Sequence, residues 1–153
     1  MPKFNLFDTD APVYTRARYL PPSKINNCHI NSSIVTEGCI ISRAVITRSL
    51  IGVRTRIDFG ANIENTYVMG ADYYQSIEEM ERDVREGKPR IGIGEGSVIR
   101  NAIVDKNARI GAGVRLVNER RVSDAEDPEG SWFIRDGIII VPKNGIVRDG
   151  TVV

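Results

Sequence analysis

Aliphatic residues recur at every sixth position over most of this chain. One run holds Cys28, Ile34, Ile40 and Ile46, then slips one place to Ile51, Ile57 and Ile63. A second holds Val98, Val104, Ile110 and Leu116, and a third holds Ile134, Ile140, Ile146 and Val152. A period of six matches neither the 3.6 of a helix nor the 2 of an ordinary strand. It matches a parallel β-helix of hexapeptide repeats, in which one aliphatic side chain per short strand points into a narrow triangular core. The pattern therefore predicts an all-β fold, a left-handed parallel β-helix, with these aliphatics facing inward. The left hand is the usual one for hexapeptide prisms, although ordinary parallel crossovers are right-handed. The slip between Ile46 and Ile51 predicts a corner shortened by one residue.

Breaks in the period divide the chain. Residues 1–24 lack the repeat and carry prolines and turn formers, which predicts an extended arm. Its apolar content (Phe4, Leu6, Phe7, Val13, Tyr14, Tyr19, Leu20) predicts that it lies along a partner surface. The prism occupies 25–153, with Asn27, Asn31, Gly38, Gly52, Gly60 and Asn62 placed where corners need positive φ or tight turns. Residues 70–91 insert one short helix: Ser76 and Glu79 form a capping box, Ile77, Met80 and Val84 share a face expected to pack on the prism, and Gly87 with Pro89 supplies the stop. The polar stretch NERRVSDAEDPEGS (118–131) predicts one long surface loop. Because coils stack, a prism hides its sides better than its ends. Val152 and Val153 offer no polar cap, so a homo-oligomeric or domain contact is expected at one end or along one face.

Composition narrows the function. A length of 153 residues suits one domain, and a net charge of +1 argues against nucleic acid or a membrane as partner. The two cysteines, Cys28 and Cys39, follow no disulfide or zinc spacing, which points to a reducing, cytoplasmic setting. No apolar run reaches the roughly 20 residues of a membrane span. The single histidine, His29, predicted to face outward beside Cys28, is a candidate general base for a stand-alone hexapeptide acyltransferase with an acyl-CoA donor, the alternative reading of the chain. A zinc enzyme on this scaffold needs three protein ligands, and one histidine excludes it. GIGEG (92–96) runs into more hexapeptide repeat rather than a helix, so it reads as a corner and not a nucleotide loop. Arg16, Arg18 and Lys24 flank the Pro-Pro turn and Lys143 lies near the end of the chain, so these cations are candidates for a phosphate or carboxylate site.

The order of segments carries a resemblance. YTRARYLPPSK (14–24), EGCII (37–41), VMGADYY (68–74), GIGEGSVIRNAIVDKNARIG (92–111) and FIRDGIIIVPKNGIVRDGTVV (133–153) together are similar to the C-terminal domain of the ADP-glucose pyrophosphorylase (glucose-1-phosphate adenylyltransferase) family, in its plant and cyanobacterial branch. The likeness covers essentially the whole chain. It implies an allosteric and oligomerisation module for ADP-glucose synthesis from ATP and glucose 1-phosphate, in glycogen or starch biosynthesis. Nucleotidyl transfer, with Mg2+ and ATP as cofactors, would belong to an N-terminal nucleotidyltransferase domain, so the chain alone is expected not to catalyse and to need no cofactor of its own. The resemblance further implies an anionic effector, 3-phosphoglycerate opposed by phosphate, with Lys24 and Lys143 as effector-binding residues and Arg18 in support. The compartment it implies is the cytoplasm, or a plastid if the source is a plant.

Overall fold

The computed structural model describes residues 5–153; Phe4, counted above with the arm, lies outside the described residues. The chain winds as a parallel β-helix, each coil giving one short strand to each of three sheets. The first coil comprises β1 (Lys24–Asn26), β2 (His29–Asn31) and β3 (Ile34–Val35), and the second β4 (Ile40–Ser42), β5 (Val45–Thr47) and β6 (Leu50–Ile51). The third comprises β7 (Arg56–Ile57), β8 (Asn62–Glu64) and β9 (Tyr67–Val68), after which helix α1 (Ile77–Arg85) is inserted. β10 (Gly92–Ile93), β11 (Val98–Arg100) and β12 (Ala102–Val104) form the fourth. The fifth runs through β13 (Arg109–Ile110) and β14 (Arg115–Leu116), is interrupted by β15 (Ala125–Glu126) and β16 (Phe133–Arg135), and resumes with β17 (Ile138–Val141) before β18 (Ile146–Val147). The first sheet orders as β1-β4-β7-β10-β13-β18, the second as β2-β5-β8-β11-β14, and the third as β3-β6-β9-β12-β17-β16-β15.

The period places Ile46, Ile51, Ile57, Ile63, Val104, Ile110, Leu116 and Ile134 in the core as expected. Elsewhere the inward register is one residue away, and β17 buries two aliphatics, Ile139 and Val141. Ile41, Ile46, Ile51, Ile57, Ile63, Val68, Ile93, Ile99, Val104, Ile110, Leu116, Val141 and Val147 are fully buried. Ile34 and Ile40 are exposed, Val98, Ile140 and Ile146 are half-buried, and Val152 is 58% exposed; their neighbours Val35, Ile41, Ile99, Val141, Val147 and Val153 point inward or pack against the core instead. The cause is chemical. At each of these places the strand carries two consecutive aliphatics, and alternation sends only one of them inward. In many coils a small buried side chain (Cys39, Ala44, Ser49, Thr55, Ala61, Thr66, Ser97, Ala102 or Ala108) stands two residues before the inward one, whereas ahead of Ile93, Leu116 and Val141 that place holds the larger Ile91, Val114 and Ile139. Cys28 holds that small position ahead of Ile30 and packs at the edge of the core. Five-residue steps occur at several corners, not only between Ile46 and Ile51.

Corners carry the conformational strain of the fold. Asn27, Gly38 and Gly60 turn with left-handed φ, while Asn31 and Asn62 sit in strands. Arginines also turn corners: Arg43, Arg48 and Arg54 have φ of 46°, 48° and 59°. That conformation costs an L-residue of this type roughly 1–2 kcal/mol.

Helix α1 begins at the capping box its sequence announced. The Ser76 Oγ accepts the Glu79 N–H, and the Ser76 N–H donates to Glu79 Oε2. Its docking face is not the expected one. Ile77 and Val84 are 71% and 65% exposed, whereas Asp83 is buried. Arg109 Nη1 donates to Asp83 Oδ2 at 2.6 Å and to the Pro89 carbonyl at 2.6 Å, and Gln75 Nε2 donates to the same carboxylate oxygen at 2.5 Å. A charge-assisted network, with Met80 half-buried beside it, holds the helix to the first sheet. The loop 118–131 is likewise more structured than its polarity suggests. β15 and β16 extend the third sheet in antiparallel fashion, and Val122, Ala125 and Trp132 pack against the core near Val153.

Two tests follow from this packing. Gly70 has φ of 94°, and an added Cβ would sit 2.1 Å from the Val53 carbonyl oxygen, whereas Gly113, at 63°, has nothing within 4 Å. Gly113→Ala should cost only the conformational term of about 1–2 kcal/mol, and Gly70→Ala distinctly more, read as the difference in urea midpoints. Burial alone pushes the Asp83 carboxyl up, but the hydrogen bonds from Arg109 and Gln75 and the charges of Arg109 and Lys88 outweigh it and hold it below its usual value. A depressed folded-state pKa contributes stability that is present above the ordinary carboxylate range and lost as pH falls through the lower, folded value. Proteolysis within 70–91 should therefore stay slow at pH 5 and accelerate below about pH 4, and Asp83→Asn should show the fast cleavage already at neutral pH.

Candidate functional site

The corner joining the third sheet to the first is where the cations gather. Hydrogen bonds stack its turns from coil to coil: Gly38 N–H to the Pro21 carbonyl, Arg54 to Glu37, Ala71 to Val53, Asn107 to Gly70 and Asn144 to Lys106, all at 2.9–3.2 Å. Pro21, Glu37, Val53, Gly70, Lys106 and Lys143 therefore occupy equivalent places in successive turns. Lys106 and Lys143 are adjacent in that column, each followed by an asparagine with left-handed φ, Asn107 at 60° and Asn144 at 61°. Asparagine tolerates this conformation, so the same turn recurs and aims both lysines the same way.

Asp72 stands between them. Lys106 Nζ lies 3.0 Å from its Oδ1 and Lys143 Nζ 2.9 Å from its Oδ2. Asn107 Nδ2 donates to Oδ2 at 3.0 Å, and the Asp72 N–H donates to Asn107 Oδ1 at 2.8 Å. Hydrogen bonds from Lys143 and then Lys106 hold the Asp72 carboxyl far below the usual carboxylate range, and the bond to Asp72 in turn raises Lys143. Above this triad opens a pocket of about 360 Å³ lined by Arg16, Ala17 and Arg18 of the arm and by Val53, Arg54, Asp72 and Lys106 of the prism. The Arg54 guanidinium donates to the Ala71 carbonyl at 3.1 Å and lies over the Tyr74 ring. Two ammonium groups thus grip one carboxylate and three arginines line the same pocket, with the Asp105 charge acting on Lys143 from nearby, an arrangement suited to binding an anion through charge-assisted hydrogen bonds.

Of the three residues expected to bind an effector, the corner brings together two. Arg18 lines the pocket and Lys143 holds its carboxylate. Lys24 opens β1, at the far end of the first sheet from the turn that carries Lys143. Five ladder steps of about 4.8 Å separate them, about 24 Å in all, too far for one small anion to bridge within a chain. Lys106, Arg54 and Asp72 were not singled out from the sequence. A signal for Lys106 exists in it: VDKN (104–107) and VPKN (141–144) are the same turn one coil apart, disguised by the insertion between them.

Other candidates are more isolated. His29 lies exposed in β2, and among the described residues no carboxylate bonds its ring. GIGEG forms β10 and the corner after it, with Gly96 at φ of 65°. Among the described residues no group of three His, Cys, Asp or Glu stands close enough to hold a metal, and no helix is long and apolar enough to cross a membrane.

Stacked hexapeptide coils around a single-file aliphatic core, with parallel sheets on three sides, define the class of left-handed parallel β-helix proteins. Residues 18–152 match the family model of the GLGC left-handed parallel β-helix domain. The chain belongs to that family, the C-terminal domain of ADP-glucose pyrophosphorylase, or glucose-1-phosphate adenylyltransferase.

If the lysines serve a ligand rather than the fold, Lys106→Ala and Lys143→Ala should leave the ligand-free thermal midpoint essentially unmoved, because exposed ion pairs contribute little to stability. A drop comparable to that of a buried-core substitution would assign them a structural role.

Proposed function

We propose that the chain acts as the regulatory and assembly module of a glucose-1-phosphate adenylyltransferase, taking an anionic effector at the corner between the third and first sheets. The observation that carries this reading is the convergence of Lys106 and Lys143, presented from adjacent coils by the same turn, on one point beside Arg16, Arg18 and Arg54. Phosphate and 3-phosphoglycerate have the charge such a set of donors favours. In this reading Lys143 and Arg18 act as effector-binding residues, with Lys106 rather than Lys24 as the second lysine.

The pocket has two walls of different origin. Arg16 and Arg18 belong to the arm, which leads toward the N-terminal nucleotidyltransferase domain of the parent enzyme; Arg54 and Lys106 belong to the rigid prism. An anion held by both fixes the arm against the prism and so biases the orientation of the domain that the arm joins. An effector that prefers the active arrangement shifts the population toward it by its differential affinity. Synthesis of ADP-glucose for glycogen or starch is assigned to that N-terminal domain. Assembly is supported by an outward row on the third sheet, Ile34, Leu50, Tyr67, Ile103 and Ile140, which the strand register places side by side. Such a row suits contact with a second copy or with the catalytic domain.

A thermal-shift titration with phosphate and 3-phosphoglycerate tests the proposal. A ligand that binds only the folded chain raises the midpoint with the logarithm of its concentration. The expected result is a rise that Lys106→Ala or Lys143→Ala abolishes and Lys24→Ala does not. A rise with acetyl-CoA alone, lost in His29→Ala, would overturn it in favour of an acyltransferase.

A further inference from the structure

We propose that Asp72 is a built-in occupant of the lysine pair, a specificity-determining residue that a doubly charged anion displaces and a singly charged one does not. This rests on the reading of the corner as an anion site and adds what governs entry to it. Lys106 and Lys143 grip opposite oxygens of one carboxylate, at 3.0 and 2.9 Å, as they would grip two oxygens of a phosphate group. A ligand seeking both ammonium groups therefore meets a competitor already in place.

Besides the two lysines, the Asp72 carboxylate gives up one bond when it leaves, the one that Asn107 Nδ2 donates to its Oδ2 at 3.0 Å. Its side chain is 37% exposed, so a rotation carries the carboxylate into water. Its main chain is anchored separately, through the N–H bonded to Asn107 Oδ1 at 2.8 Å, so the turn persists when the side chain moves. The pocket's other cations are not spent on Asp72: Arg54 donates to the Ala71 carbonyl, and Arg18 Nη1 donates to the Arg16 carbonyl at 3.4 Å.

Exchange then depends on charge number. A monoanion that replaces Asp72 trades one carboxylate charge for another and gains little. A dianion matches the two ammonium groups and has charge left for the arginines across the pocket. The site thus selects phosphate and phosphate monoesters over chloride or single carboxylates. This selectivity comes from a group that repels the ligand rather than from one that binds it, a way of discriminating against the wrong ligand without strengthening the right one.

Calorimetric titration of the whole chain with inorganic phosphate, and separately with acetate, is the test, made on the parent chain and on Asp72→Asn, Asp105→Asn and Asp72→Asn/Lys106→Ala. Asp105 is the control carboxylate. Its Oδ1 accepts the Lys106 main-chain N–H at 2.6 Å, a bond asparagine can keep, and among the described residues no ammonium group is bonded to it. The expected result is phosphate binding roughly two- to thirtyfold tighter in D72N, the equilibrium equivalent of two exposed ion pairs. D105N should gain less than about twofold, the double variant should lose the gain, and acetate should bind D72N but not the parent chain. Unchanged or weaker phosphate binding in D72N would mean that Asp72 positions the lysines. An equal gain in D105N would mean a general field effect. Acetate binding to the parent chain would remove the selectivity. Each of these overturns the proposal while leaving the anion site standing, provided the parent chain binds phosphate. Phosphate binding by none of the four chains would overturn both.

Discussion

Each coil of this molecule has room for only one or two aliphatic side chains per face, and the rest of the structure depends on that narrowness. Three sheets hydrogen-bond coil to coil with full parallel registers, so each turn must close at the same place as the turn before it. A corner that drifted by a residue would send the next aliphatic outward and a polar group inward. This requirement explains why left-handed backbone recurs at the corners even where the residue is an arginine: closure outweighs the local conformational cost. It also explains why the two insertions leave from corners, where the chain can depart and return without breaking a ladder.

The same constraint decides what could be read from the sequence. The fold was legible, because a period of six in branched aliphatics has few other structural meanings. The register was less so. Ile34-Val35, Ile40-Ile41, Val98-Ile99, Ile140-Val141 and Ile146-Val147 are pairs, and spacing alone favours the wrong member of each. A small residue two positions before the inward side chain marks the register at Ile41 (Cys39) and Ile99 (Ser97), but not at Val141, where Ile139 takes that place. For the candidate site, Arg18 and Lys143 were visible as cations at breaks in the pattern, but distance in the fold was not. The resemblance pairs Lys24 with Lys143 as effector residues, yet Lys24 lies five coils away. Lys106 sat unremarked in a strand-like context, and only the pairing of VDKN with VPKN, across the 118–131 insertion, relates it to Lys143.

Helix α1 shows a second limit on pattern reading. Its apolar residues Ile77 and Val84 suggest a greasy underside, yet it is the buried Asp83 that meets the prism, through Arg109 and Gln75. At the docking point the outer surface of the prism offers the helix a hydrogen-bonding partner, Arg109, rather than an apolar seat. Arg109 thereby joins a strand of the fifth coil to a helix inserted after the third, and it lies three residues from Lys106. The helix and the anion corner share one short stretch of main chain.

Stacked turns also act as a ruler. The separation of Lys106 from Lys143 is one ladder step, whatever the length of chain that intervenes, because the loop between them begins and ends on the same rung. The length of segment 118–131 can therefore change while the spacing of the two lysines stays constant, whereas segment 70–91 is tied to the site through Gly70 and Asp72. The arm has no such protection. Arg16 and Arg18 reach the pocket from outside the ladder, and their distance from the lysines varies with the path of the chain. One half of the pocket is metrically locked and the other adjustable, so a change in ligand size or shape can be accommodated on the arm without rebuilding the prism.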